Sequence, residues 1–155
     1  MTIIVCGSRV FDDHEFLFRK LDSLTRKLDK KKLTVCTGAQ RSKAKDGHWH
    51  GADFFAERWA AKNWCNLLRF HANWDKHGKS AGMIRNSEML KESKATVLIA
   101  FRVDGDSPGT DDMVAKARKK KLTVKLIRCK ARGNSCKSVN GRTMTSTNQP
   151  KKKST

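Results

Sequence analysis

The sequence predicts an α/β fold in which a five-stranded, mainly parallel sheet carries helices on both faces. Two observations predict it. Five short apolar runs alternate with helix-like segments, and most of the runs lack the polar–apolar alternation of a half-exposed strand. Strands buried on both faces and separated by helical crossovers form a parallel sheet, because each crossover returns the chain in the same direction.

The elements follow in order. "TIIVC" (Thr2 to Cys6) is the first strand candidate. Leu17, Leu21, Leu24 and Leu28 then recur at four-three-four spacing, one helical stripe facing a sheet. "LTVCT" (Leu33 to Thr37) is the second strand, Ala52 to Trp64 a helix, and "LLRFH" (Leu67 to His71) the third strand. Ala81 to Lys91 is helical, "ATVLIAF" (Ala95 to Phe101) is the fourth strand, Asp111 to Lys120 is helical, and "LTVKLI" (Leu122 to Ile127) closes the sheet. The expected domain is 1–128. From Cys129 to Thr155 apolar residues are scarce, too few to offset ordering entropy, and a disordered basic tail is expected.

Composition limits the function classes. The chain has 155 residues, room for one domain, and a formal charge of +19. The segment from Lys116 onward holds 14 Lys and Arg and no acid, so the first 115 residues carry the other 20 basic residues against all 15 acids. A tail of this kind binds nucleic acid through phosphates without sequence preference, or simply solubilises the chain; both readings stand. The core shows no basic–aromatic stripe of the sort single strands stack on. No apolar run has transmembrane length and the N-terminal run lacks a signal peptide's basic region, so no membrane partner is expected. Five cysteines without a CxxC pair, with Cys6 and Cys36 inside strand runs, fit free thiols in a reducing cytoplasm. Neither is a candidate nucleophile. His48, His50, His71 and His77 lack the partners of a tetrahedral set, so neither a metal nor a cofactor is expected.

Ligands of open parallel sheets sit beyond the carboxyl ends of the strands, where helix N-termini offer free amides. The loops at that edge read "GSRVFDD", "GAQRSKAKDGHWHGAD", "HANWDKHGKSAG" and "RVDGDSPGT". Gly7, Gly38 and Gly109 follow strands one, two and four, and three glycines at one edge favour a nucleotide or phosphate site. In "SPGTDDM", Ser107, Gly109 and Thr110 supply a phosphate-holding turn, while Asp111 and Asp112 fall in the first turn of the following helix. Acids there cap amides and complement the macrodipole; catalysis by either, or a ribose contact by Asp111, is the alternative. Arg85 offers a planar fork for phosphate or carboxylate, and Asn86 can both donate and accept. Ser8, Arg9 and Asp53 are further pocket candidates, and Trp74 can stack on a base or anchor its loop.

"VCGSRVFDD", "TGAQ…GADFFAERWA", "FHANWDKHGKSAGMIRNSEML" and "VLIAF…SPGTDDMVAKA" resemble, in that order from Ile3 to Ile127, the YspA-type (cpYpsA-related) branch of the SLOG superfamily. That superfamily comprises Rossmann-like domains, including the DNA-processing DprA proteins and the LOG phosphoribohydrolases. The resemblance implies a Rossmann-like three-layer sandwich from a bacterium or phage and a nucleotide-derived ligand at the sheet edge. It also implies a ligand role for Arg85 and the option of a homodimer. Two departures stand out. An insertion ending in "HWH" separates Gly38 from Gly51-Ala52-Asp53, where the family commonly reads "GGARGAD". The LOG pattern "PGGxGTxxE" keeps Gly109 and Thr110, but its closing Glu falls on Met113, whose thioether can neither activate water nor stabilise an oxocarbenium ion. The expected function is therefore binding, sensing or sequestering of a nucleotide-derived ligand. The alternatives are LOG-like N-glycosidic hydrolysis and DprA-like nucleic-acid binding aided by the tail.

Overall fold

The computed structural model describes residues 1–130 and the backbone of 131–132 and 135–138. The chain opens with β1 (Thr2–Gly7), followed by α1 (His14–Leu24), a short 3-10 turn at Lys30–Lys32 and β2 (Thr34–Thr37). Next come the two-residue strands β3 (Ser42–Lys43) and β4 (Trp49–His50), then α2 (Ala52–Lys62) and β5 (Asn66–Arg69). The short α3 (Trp74–His77) leads through another 3-10 turn into α4 (Ala81–Glu92), β6 (Val97–Val103), α5 (Pro108–Lys119), β7 (Thr123–Arg132) and β8 (Ser135–Ser138).

The main sheet runs in the order β5-β2-β1-β6-β7-β8. Its first five strands are all parallel, and β8 adds antiparallel to β7. The expected parallel sheet is therefore present, a Rossmann-like sandwich, with one antiparallel strand the sequence did not announce. The expected boundary at 128 falls inside β7, and 129–132 and 135–138 are strand where a disordered tail was expected. Residues 133–134 and 139–155 of that expected tail lie outside the described residues.

Alternation across the pleat explains the three layers. Ile3, Val5, Ile99 and Phe101 point to the face covered by Phe16, Leu17 and Leu21 of α1 and Phe55, Ala56 and Trp59 of α2. Ile4, Cys6, Leu98 and Ala100 point to the opposite face, covered by Met89 and Leu90 of α4 and Met113, Val114 and Ala117 of α5. Both faces being buried, the central strands read as continuous apolar runs.

Two expectations need correction. The leucine stripe is shorter than its spacing: Leu17 and Leu21 are fully buried, but Leu24 is exposed and Leu28 lies beyond the helix. Thr25 ends α1, its hydroxyl donating back to the Leu21 carbonyl at 2.6 Å. The third strand, expected at Leu67 to His71, is a sheet edge at Asn66–Arg69 with Leu68 exposed rather than a strand buried on both faces. Among the described residues, no helix is long and apolar enough to cross a membrane.

Candidate functional site

The sheet order fixes where a ligand can sit. The chain builds β1, β2 and β5 to one side, then crosses back to lay β6 on the other side of β1. The loops leaving β1 and β6 therefore diverge, opening a crevice at the carboxyl edge. A pocket of about 470 Å³ occupies it. Its walls contain Gly7, Ser8 and Arg9 after β1, Gly38 after β2, Asp53 of α2, Trp74 of α3, Arg85 and Asn86 of α4, and Ser107, Gly109 and Thr110 at the start of α5. The structure thus brings all eleven ligand-site candidates around one cavity.

The glycines serve different ends. A Cβ at Gly7 would stand 2.2 Å from the Phe101 carbonyl oxygen and 2.5 Å from the Ala52 Cβ, so close β1–β6 packing demands glycine there. A Cβ at Gly38 would lie 2.6 Å from the Arg85 guanidinium and 3.0 Å from Asp53 Oδ2. Gly38 makes room for the pocket's two buried charges. At Gly109 a Cβ would meet nothing within 4 Å, so among the described residues no packing requires that glycine.

The polar side chains are tied together before any ligand arrives. Arg85 is buried; its Nη1 donates to the Gly38 carbonyl at 2.5 Å and its Nε to Asn86 Oδ1 at 3.1 Å. Asn86 Nδ2 donates to the Gly109 carbonyl and to Asp112 Oδ2, at 3.1 and 3.0 Å. Both donors of the Asn86 amide are thus spent on joining α4 to α5, which leaves its carbonyl as the group with capacity for a ligand. Ser8 Oγ accepts from the Val103 N–H at 2.9 Å and meets Ser107 Oγ at 2.6 Å, clamping the two diverging loops. Arg9 lies over the Trp74 ring, 5.2 Å from its centroid, at the pocket wall.

Electrostatics follow burial. Asp53 Oδ2 accepts from the Gln40 N–H at 3.1 Å, whereas Oδ1 is buried without a partner among the described residues. Desolvation pushes the Asp53 carboxyl up to about 6, against the pull of the Gln40 amide and of Arg85. Desolvation also lowers Arg85, with Asp53 acting the other way. Burial raises the Cys6 thiol far above its ordinary range and Cys36 to about 12, so neither is a thiolate at neutral pH.

The two acids of the α5 first turn face elsewhere. Asp111 forms a fork with Arg102, at 2.6 Å to Nε and 3.0 Å to Nη2, and that pairing lowers its carboxyl. Asp112 is held by Asn86 and by Lys116 at 2.9 Å. Neither lines the pocket, whereas Met113, at the position of the LOG Glu, does and is fully buried. Ser107 makes no side-chain cap at the start of α5, and Pro108 fills the first helical position. Sequence reasoning overlooked Gln40, Lys79 and Asp106 in the wall. Lys79 and Asp106 were visible as charges in the relevant loops; nothing in the sequence marked Gln40, whose backbone N–H donates to Asp53 Oδ2. Among the described residues no cluster of His, Cys, Asp or Glu could hold a metal ion.

Fold and cavity define a Rossmann-like domain with a charged pocket at the switch point of its parallel sheet. The family described as "YspA, cpYpsA-related SLOG family" matches residues 1–77. The "Gene 61 protein" of Mycobacterium phage D29 is 33% identical over 129 residues, covering 79% of this chain and 92% of the phage protein. The chain belongs to the YspA, cpYpsA-related SLOG family. No solved structure matches it.

Proposed function

We propose that the switch-point pocket binds a nucleotide or a nucleotide-derived phosphorylated ligand, and that the protein senses or sequesters it. One observation carries the reading: α5 enters the pocket wall with no side chain capping its N-terminus, and Gly109 leaves open space beside it. Uncapped amides at the positive end of a helix favour an anion. The buried Arg85 fork adds positive charge from α4, and the unpartnered Asp53 Oδ1 is an acceptor for a ribose hydroxyl or a base amine.

The same carboxyl supports a second reading, N-glycosidic hydrolysis of the LOG kind. Asp53 is the buried acid of the wall, and a carboxyl near 6 is suited to proton transfer. Met113 weighs against it, and binding is the better-supported conclusion.

Gly109→Val tests the binding reading. Valine is no worse than glycine in a helix, and its first side-chain carbon meets no protein atom within 4 Å, so the variant should fold normally. Titration calorimetry with nucleoside 5′-monophosphates should show affinity reduced roughly tenfold or more, the loss of about one charge-assisted hydrogen bond. Equal affinity for nucleosides lacking phosphate, or an unaffected Gly109→Val, would refute the anion site. Chromatography of wild-type and Asp53→Asn incubations decides the second reading: release of free base by the wild type alone would make the protein a hydrolase.

A further inference from the structure

The insertion between β2 and α2 is a small antiparallel hairpin, with Lys43 opposite Trp49 and Ser42 opposite His50. Alternation puts Arg41, Lys43 and Trp49 on one face of it. There the Arg41 guanidinium lies 4.5 Å and the Lys43 ammonium 5.5 Å from the Trp49 ring centroid, and the indole stays 41% exposed. The adjacent residue, His48, turns the other way and bonds Asp12 of the β1 loop at 3.0 Å, fixing the hairpin to the domain. The hairpin's acid, Asp46, is occupied by the same imidazole, so Arg41, Lys43 and Lys45 face solvent uncompensated from within the hairpin.

A second stack of the same kind lies next to it. Trp74, also 41% exposed, carries Arg9 at the pocket mouth. The backbones that carry the two cations come together at Gly51, where a Cβ would lie 3.4 Å from the Arg9 carbonyl oxygen and 3.7 Å from the Arg41 Cα. Two exposed indoles, each with a cation over its ring, thus belong to neighbouring segments, and the second of them lines the cavity.

From this arrangement we infer that the β3–β4 hairpin and the Arg9–Trp74 pair form a stacking platform for single-stranded nucleic acid, the strand running toward the pocket mouth. Base faces stack on the indoles and phosphates meet Arg41, Lys43 and Arg9. Only an unpaired strand presents base faces in this way; a duplex hides them. Arg9 and Trp74 also belong to the pocket wall, but the hairpin residues Arg41, Lys43 and Trp49 do not, so binding through the hairpin is separate from the pocket's own ligand and does not rest on the reading proposed above.

The test uses the full chain, so that the basic C-terminal segment contributes equally throughout. Fluorescence anisotropy would follow labelled oligo(dT), oligo(U) and a duplex of equal length across a salt series. Trp49→Ala should weaken single-strand binding roughly 5- to 150-fold at every salt concentration without changing the slope. Trp49→Phe, which keeps a flat ring, should recover most of that loss. Replacing Arg41 and Lys43 by Ala should flatten the logarithmic salt slope by roughly 0.7 for each phosphate that is no longer neutralised. A Trp49 effect on either oligo(dT) or oligo(U) upholds the platform. Loss of that effect on both, or duplex binding as tight and equally sensitive to Trp49, would overturn it. Mononucleotide titration of the same variants should be unchanged, so a failure of the platform and a failure of the pocket ligand give different results.

Discussion

Burial leaves Asp53 with one oxygen bonded to the Gln40 amide and the other without a partner among the described residues. Its carboxyl titrates near 6 in the folded protein against an ordinary value of 3.8. Below the lower value both folded and unfolded states hold the proton, and no stability is at stake. Between the two values only the folded state holds it, so stability falls as pH rises through that window, and above about 6 the full penalty applies. Asp53→Asn removes the titration while keeping an oxygen for Gln40. Thermal melts from pH about 7 to about 4 should therefore show the wild type gaining on the variant, by at most about 3 kcal/mol. Parallel curves would mean that Arg85 compensates the buried charge completely. At this scale the sequence was legible as a set of residues but not as a division of labour. "GSR", "GAD", "RN" and "SPGT" named the wall. Only the folded chain shows that Asn86 spends its donors on Gly109 and Asp112, or that Gly38 is small because Arg85 passes over it.

Among the elements, the β3–β4 hairpin was the least legible. Its strands have two residues each, too short for any period to register, and in sequence it was only a long polar loop. Its basic–aromatic face arises from cross-strand pairing, which brings Lys43 beside Trp49 across five intervening residues. The helices were legible where a stripe met the sheet and illegible at their ends: α1 stops at Thr25, in the middle of the leucine spacing. The hairpin's attachment should depend on pH. His48 is raised above its ordinary value by hydrogen bonds to Asp12 and then Asp46. The imidazolium's contribution is complete below the unfolded value of about 6.5 and is lost as pH rises through the folded value. The neighbouring His50 ring lies 5.8 Å away, centroid to centroid. Hydrogen exchange at the Ala44 amide, which bonds the His48 carbonyl at 2.8 Å, should be better protected near pH 6 than near pH 8 after correction for intrinsic rates. His48→Gln should abolish that difference, and equal protection in wild type at both pH values would show that the imidazolium does not hold the hairpin.

The whole molecule turns on one topological event, the return of the chain to lay β6 beside β1. The alternation of apolar runs and helices predicted parallel strands, but no sequence pattern specifies on which side of β1 each strand is added. That order makes the crevice, and it lets residues as distant as Ser8 and Ser107 clamp the loops that frame it. Because the pocket wall draws on α2, α3, α4, α5 and the β1 loop together, a ligand bound there touches both layers of helices and should stabilise the fold as a unit. Binding to the native state alone at about a hundred times the dissociation constant adds about 2.7 kcal/mol. For a chain of this size that is a rise in Tm of about 5–10 °C. A nucleoside 5′-monophosphate that occupies the pocket should produce this shift in the wild type and little or none in Gly109→Val. Inorganic phosphate at the same concentration separates the pocket from the chain's large positive charge, since general screening would raise both proteins equally. A shift of equal size in both, with phosphate as effective as the nucleotide, would locate the stabilisation in charge neutralisation and leave the switch-point pocket without a ligand.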